Sequence, residues 1–572
     1  MSLLGIRSRA GLNARVRLDC EAKYLAEADP WAIGRADSAR YDLYVASIRE
    51  HARARGSVLD IGCGFGAMLG RLRPDFRILH GIELSDVAVA RGRERHPFAT
   101  FEQGSIETLE RTSAHRERFD AIVLSDVLYY ADEADKRSSL RWIAEHLRPG
   151  GFAFIAAYSP GGGEYLTAAE LRTLVEREFV LEREQMLESE HLMLLARPRR
   201  RLMALTLDYE TWQPVPAGRR IDWQVDVFAP TDALMDACEQ EGAHLTIFAE
   251  LGEHAFLREY EPELALRMER QWRDAVGRGH SVQMHLHPSW LPELGARRDG
   301  GRYVWNERLT RTEDHPDLVG LLRRLKWTLE EVLHPVDPSY EVLAFRAGGY
   351  EAQPFRRTAE ALEANEMWCD SSVYRGGRRP GQHHHYAHPV HAHQPWFASR
   401  VDPQLQAPPA ECAIVELPVA TFGQNDRLTF DTHQGACFAQ RLLAQIEAER
   451  RAGPSTELAR AMAKGRDLAG PAYRRVRARS PTVNRVLPRR LARALVGCPS
   501  RRLIDDDFYV AVGHSKADLD IPAIRGQLRL LRESGVEVLR LEDMARLARD
   551  QLERRAKAGQ AGEVGRLSRA AP

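Results

Sequence analysis

Leu205-Thr206-Leu207-Asp208-Tyr209-Glu210 runs three residues of good strand propensity into a D-x-E. On a strand, positions i and i+2 point to the same face, so Asp208 and Glu210 are expected side by side at a strand end. Two carboxylates that close repel each other unless something positive sits between them. A divalent metal is the usual remedy, and it suits a hydrolase, which needs one carboxylate as ligand and one as base. A bare D-x-E is more often a solvated strand end, so the reading depends on what the rest of the chain supplies.

Downstream, Gly279-His280-Ser281-Val282-Gln283-Met284-His285-Leu286-His287-Pro288 reads as a strand ending in H-x-H. His285 and His287 share one face, and two imidazoles with one carboxylate make a three-ligand site with positions open for water and substrate. Further strands with polar tips follow: Val342 to Tyr350 with Arg346, Trp368 to Val373 with Asp370, Ile414 to Val419, and Phe508 to Lys516 with His514. Pro230 to Gly242 and Glu263 to Arg278 read as helices between them. Strand, polar tip, helix is the grammar of a βα barrel with its chemistry at the carboxyl ends of the strands.

These tips, in this order, resemble the NodB-type polysaccharide deacetylases. The resemblance implies a distorted (β/α) barrel and a zinc-like divalent metal held by Glu210, His285 and His287. It implies Asp208 as the base that takes a proton from the attacking water and His514 as the acid that protonates the departing amine. Arg346, with Tyr350, and Asp370 would tune those two groups, and acetate and a free sugar amine would leave. Two departures stand out: the family's second carboxylate is usually Asp rather than Glu210, and its histidines lie further apart. His280 is therefore an alternative to His287 as a ligand.

The N-terminal part opens differently. Ser57-Val58-Leu59-Asp60-Ile61-Gly62-Cys63-Gly64-Phe65-Gly66 is a short apolar strand, a glycine-rich turn, and the start of a helix at Ala67. Gly62, Gly64 and Ala67 also satisfy the loose dinucleotide pattern. Asp60 separates the two readings. A carboxylate at the turn would repel a pyrophosphate by roughly 4 kcal/mol for unit charges about 4 Å apart. It would instead favour the ammonium and sulfonium of S-adenosylmethionine. Glu83 ends the next strand, where an acid can take both ribose hydroxyls. Gly104-Ser105-Ile106 falls where a loop would meet the adenine, and Phe119 to Tyr130 is a buried strand with a polar exit.

This ordered series resembles the class I methyltransferases. Asp29-Pro30-Trp31 and Ser125-Asp126-Val127-Leu128-Tyr129-Tyr130 are closer to the nodulation-type N-methyltransferases of sugar amines. The resemblance implies a Rossmann-like sheet and cofactor contacts from Asp60, Gly62, Gly64, Gly66, Glu83, Ser105 and Ser125. A neutral amine needs little acid–base help to attack an activated methyl group, so Asp126 is a candidate only for steering it. Tyr129 and Tyr130 are either substrate contacts or packing.

At 572 residues the chain is too long for one core. The expected division is 1–198 for the methyltransferase, 199–548 for the barrel and 549–572 for a disordered tail, with the joint in Arg197-Pro198-Arg199-Arg200-Arg201. Eighty-one basic and 81 acidic residues balance, so no global field advertises nucleic acid. Seven scattered cysteines form no CxxC, which argues for a reducing compartment. Without an apolar leader or a bilayer-length apolar run, the expected location is cytoplasmic. Two segments stand outside the pattern. Gln382 to His393 holds six histidines (His383, His384, His385, His388, His391, His393), a metal tract or a solvated loop. The basic insertion at about 440–502, centred on 451–502, either contacts anionic lipid or a diphosphate-linked glycan, or is a basic flap.

The resulting expectation is a fused enzyme in which N-deacetylation of a surface or secreted glycan exposes an amine and methyl transfer consumes it. The alternative is an O-methyltransferase joined to a catalytically degenerate glycan-binding barrel.

Overall fold

The computed structural model describes residues 9–30, 38–160, 165–211, 221–300, 302–306, 309–378, 383–386, 393–421, 427–431, 437–448, 504–516 and 519–568. The chain folds as two units, Met1–Arg199 and Arg200–Pro572, so the division falls inside the arginine run.

The first unit contains β1 (Ser57–Ile61), β2 (Ile78–Glu83), β3 (Thr100–Gln103), β4 (Phe119–Ser125), β5 (Leu147–Tyr158), β6 (Phe179–Met186) and β7 (His191–Pro198). They form one sheet in the order β3-β2-β1-β4-β5-β7-β6. All neighbours are parallel except β7, which runs antiparallel to both β5 and β6. The central strands are near-continuous apolar runs because both faces are covered. Leu59 and Ile61 enter one core, and Val58 enters the other. The strand order reverses between β1 and β4, which opens a crevice at their carboxyl ends.

The second unit contains β8 (Arg201–Tyr209), β9 (Leu245–Glu250), β10 (Ser281–Leu286), the hairpin β11 (Arg297–Asp299) and β12 (Arg302–Val304), β13 (Ala344–Ala347), β14 (Cys369–Asp370), β15 (Trp396–Phe397), β16 (Val415–Glu416), β17 (Asp507–His514) and β18 (Val536–Leu539). The main sheet runs β15-β16-β14-β13-β10-β9-β8-β17. β18 lies along the first half of β8, up to Ala204, and β9 takes over from Leu205. Single parallel bridges, Tyr374 to Val419 and Val419 to Val510, carry the curl back toward β17. The expected barrel is thus a curled sheet among the described residues. β14, β15 and β16 are two residues each, too short for a continuous ladder. Amphipathic helices back it: Leu318–Leu333 buries Leu318, Leu321, Leu322, Leu325, Leu329 and Val332 at helical spacing.

The tail corrects an expectation. Residues 549–568, expected as part of a disordered tail, continue the helix Leu541–Ser568, and 569–572 lie outside the described residues. Its first turns are anchored by buried Leu541, Met544, Ala545 and Leu552, and its Ala, Arg and Glu content propagates the helix. The basic insertion 451–502 lies outside the described residues, as do His388 and His391. His384 is buried while His383 and His385 are exposed, and no metal-ligand cluster forms there among the described residues. No described helix is long and apolar enough to cross a membrane.

Candidate functional site

Parallel register lines up the strand ends of the second unit. Asp208 sits opposite His514 on β17, His285 sits opposite both Glu250 and Arg346, and Asp370 sits opposite Glu416. Alternation along β8 sends Tyr209 into the core, where its hydroxyl donates to Gln271, and leaves Asp208 and Glu210 on the opposite face. The same alternation buries Leu286 and frees His285 and His287.

Glu210, His285 and His287 each offer a ligand atom, and these atoms lie within 4.8 Å of one another. The two imidazole Nε2 atoms lie 3.4 Å (His285) and 2.8 Å (His287) from the same Glu210 oxygen, Oε2. His285 Nδ1 lies 2.9 Å from the Arg346 carbonyl, so it donates there and turns Nε2 toward the cluster. The His287 ring has room because residue 348 is glycine: a Cβ there would come within 2.5 Å of Cγ. Two oriented imidazoles and one carboxylate fit a zinc-like divalent ion with open positions. Glu210 already carries a positive partner on its other oxygen, Lys516 Nζ at 2.7 Å. The alternative ligand, His280, is excluded by placement. It precedes β10 at the amino end, where its Nδ1 accepts from the Leu245 backbone, a strand's length from the cluster.

Charge is matched with care. Burial would push the Glu210 carboxyl up, but Lys516 and His287 outweigh it and hold it well below the usual range. Burial would push the His285 imidazolium down, but Glu210 and Asp208 raise it to about 9. Burial also works against ionised Asp208. The Arg346 guanidinium, then His285 and His514, overcome that and hold its carboxyl low. Arg346 is fully buried and satisfied: Nη1 donates to Asp208 Oδ1 (2.6 Å) and Thr206 Oγ1, and Nε and Nη2 donate to the Ser371 carbonyl and hydroxyl. Tyr350 places its hydroxyl 3.5 Å from Asp208 Oδ2, from a backbone φ of 64°. A non-glycine residue held there costs about 1–3 kcal/mol, and the Tyr386 hydroxyl on its carbonyl helps fix it.

His514 Nε2 lies 3.7 Å from Asp208 Oδ2 and 4.0 Å from Glu210 Oε1. Its partner corrects the sequence reading. Asp431 Oδ2 is 2.5 Å from His514 Nδ1, whereas Asp370 packs with Glu416 and accepts from Ser372. Burial raises both of those carboxyls, and neither contacts the histidine. Asp431 reaches His514 because Thr429 bridges Val512 and carries its segment along β17. The apolar–polar alternation Leu428-Thr429-Phe430-Asp431 was the only signal for it in the sequence. Glu250 was also missed: its Oε1 accepts from the His287 backbone at 2.6 Å and so fixes the strand end that carries this candidate ligand.

In the first unit, Gly62, Gly64 and Gly66 have φ of 77°, 55° and 86°, which L side chains rarely adopt. Gly64 N donates to Glu83 Oε2 (2.8 Å) and Ser85 N to Oε1 (3.0 Å), so Glu83 ties the turn to the end of β2. Asp60 is buried, and no described residue forms a hydrogen bond or ion pair with its carboxylate. Burial, then Glu83, pushes it up to about 7. A buried carboxylate without a counter-charge beside a glycine turn fits a ligand that brings positive charge.

The outer positions are less free than expected. Ser105 Oγ donates to Glu107 (2.8 Å) and Ser125 Oγ to Asp126 (3.2 Å), so both hydroxyls are engaged locally. Asp126 binds Arg40 Nη1 at 3.2 Å and accepts from Tyr158 N at 3.1 Å, so it braces β4, β5 and the helix Ser38–His51. An amine would compete there with a guanidinium, which removes Asp126 as the simple steering group. Tyr129 packs on Tyr130 and Tyr165, with centroids 4.5 and 5.2 Å apart.

Matches to known proteins bear on the first unit. Residues 58–151 match the family model described as a methyltransferase domain. A dTDP-3-amino-3,6-dideoxy-alpha-D-glucopyranose N,N-dimethyltransferase of Streptomyces fradiae is 30% identical over 112 residues, 19% of this chain and 42% of that protein. Nodulation protein S of Azorhizobium caulinodans is 28% identical over 148 residues, 25% of this chain and 67% of that protein. The chain thus spans less than half of the first of these relatives and two thirds of the second. The solved N-methyltransferase NodS of Bradyrhizobium japonicum WM9, with S-adenosyl-L-homocysteine, is 23% identical; the match covers 32% of this chain and 98% of that one, at a TM-score of 0.29. The N-terminal region carries a class I methyltransferase domain.

Proposed function

We propose that the chain acts twice on one amino sugar: the second unit removes an N-acetyl group from a surface or secreted glycan, and the first methylates the freed amine. The observation that carries the hydrolytic half is the convergence of Glu210, His285 and His287 beside the Asp208–Arg346 pair, with His514 across from it. A divalent metal, zinc by its donor set, would polarise the acetamide carbonyl when bound. The chain's own residues do the rest. Asp208, kept ionised by Arg346, takes the proton of the attacking water. His514, oriented by Asp431 through Nδ1, gives a proton from Nε2 to the leaving nitrogen.

For the methyl-transfer half, S-adenosylmethionine supplies the methyl group. The turn Gly62–Gly66 admits it closely, Glu83 receives the ribose hydroxyls, and Asp60 answers the positive charge. The curated relatives named for amino-sugar N,N-dimethylation support an amine acceptor over a hydroxyl. A cytoplasmic site of action fits the free state of all six described cysteines.

The second reading, a glycan-binding barrel without metal, is favoured by one contact: Lys516 already neutralises Glu210. Metal content of protein purified without chelator separates the two. The coupled reading is tested by giving the full chain an N-acetylated oligosaccharide and labelled S-adenosylmethionine. Methyl transfer that appears only after acetate release supports it, and methyl transfer independent of acetate release defeats it.

A further inference from the structure

Arg427 is a charged side chain at the second unit's cleft that the scheme above leaves without a task. It lies four residues before Asp431, on the segment that runs beside β17. Its guanidinium carbon is 5.0 Å from the Tyr350 ring centroid and 4.9 Å from that of Tyr374. The two rings meet each other edge to face at 5.2 Å. Both contacts are with π-systems, which engage a guanidinium without using its N–H donors. Nη1 is closed off from solvent and has no hydrogen-bond partner, whereas Nε and Nη2, also without a partner among the described residues, are not sealed in this way. The fold offers no acceptor to the guanidinium among the described residues, so its Nε–Nη2 edge is the one open to a ligand. Tyr350, whose ring it contacts, also reaches Asp208 with its hydroxyl, so the unfilled donor lies one tyrosine away from the reacting centre.

Building on the glycan reading of this site, we propose that Arg427 receives an oxyanion of the substrate, on the sugar unit next to the acetamido group, so that the second unit selects acidic over neutral glycans. A planar guanidinium fork matches a carboxylate or a phosphate ester through paired N–H donors. Tyr350 and Tyr374 hold that fork in place, and Tyr350 sets its position relative to Asp208. A uronic acid and a sugar phosphate both carry the required oxygens. The alternative is that Arg427 only offsets the local acids, Asp431 and Asp208, whose charges it feels.

Calorimetry on the zinc-loaded full chain decides, using two matched pairs of probes. One pair is an N-acetylglucosamine–glucuronic acid tetrasaccharide and its carboxyl-reduced form. The other is an N-acetylglucosamine oligosaccharide with and without a phosphate ester. One acidic member should bind about tenfold or more tighter than its neutral twin, as expected for a charge-assisted hydrogen bond. Arg427→Gln should erase the preference while leaving neutral affinity unchanged, and Arg427→Lys should keep part of it. Equal binding within both pairs by the unmodified protein overturns the assignment without recourse to any variant, and so does a preference that survives Arg427→Gln. Acetate release is followed in parallel. Release without acidic preference sinks the Arg427 subsite and spares the hydrolase, whereas acidic preference without release from any probe sinks the hydrolase and spares the subsite. No binding to any probe sinks both.

Discussion

The two units both place their candidate sites at the carboxyl ends of parallel strands, but they build them from different material. The first uses one turn of backbone, Gly62 to Gly66, with acids at the ends of two adjacent strands, Asp60 and Glu83. The second draws side chains from β8, β10, β13, β17 and the Asp431 segment, spread over three hundred residues of chain. The charge accounts differ as well. Asp60 is buried with no described partner, whereas Asp208 and Glu210 are answered by Arg346, Lys516 and histidines. The lesson is one of timing. A site that receives a charged cofactor keeps a counter-charge unanswered until the ligand arrives. On the proposed hydrolytic reading, a site that must orient water and a proton donor fixes its charges in advance, because the geometry has to exist before the substrate does.

The comparison can be broken most severely at Asp208. Asp208→Asn should lower acetate release by about 10²–10⁴-fold, the usual worth of a positioned base. Methyl transfer to a free amino sugar, measured on the same preparation, should not change. A matched fall in both activities would mean the units do not work as separate sites.

Removing a ligand comes next. Glu210→Ala or His285→Ala should abolish stoichiometric metal, read by elemental analysis of protein purified without chelator. Full metal content in both variants would place the ion elsewhere and remove the central contrast between the units.

A smaller effect is expected at Asp431. Asp431→Asn removes the anion that holds His514 Nδ1, so acetate release should fall about 10–100-fold. Asp370→Asn should alter stability and leave acetate release nearly unchanged. The reverse pattern would restore Asp370 as the residue that tunes His514.

The smallest effect sharpens the first unit. Asp60 is pushed up to about 7 by burial. A cationic cofactor favours its ionised form, so S-adenosylmethionine affinity should fall as pH drops below about 7, approaching tenfold per unit, and level off above it. The sign for stability is opposite. An acid whose pKa is raised by folding favours the folded state when protonated, and that contribution is lost as pH rises from about 4 to about 7. Asp60→Asn should therefore flatten the affinity profile, measured by calorimetry, and raise the melting temperature of the ligand-free protein near pH 8. An unchanged profile would mean Asp60 does not face the cofactor.

What was legible in the sequence follows the same divide. Period-two alternation placed Asp208 with Glu210 and His285 with His287, because a strand's side chains repeat every second residue whatever surrounds it. Glycine spacing exposed the turn after β1, since only glycine takes those φ values without strain. Other assignments had no local signal. Asp370 lost His514 to Asp431 because the choice depended on which segment lies beside β17, a matter of long-range pairing. Asp126 looked like a free strand-end acid until Arg40, 86 residues earlier, was seen to hold it. The tail looked loose by composition, yet Leu541, Met544 and Ala548 find a core that anchors the helix running through it.

By itself, the sequence determined which side chains on each strand share a face and where the glycine turn falls, because backbone geometry over two or three residues settles both. Only the tertiary structure decided which strand ends meet and which acid partners which base. It also decided which charges stay unanswered, because proximity between distant segments comes from packing of the whole fold and leaves no trace in local spacing.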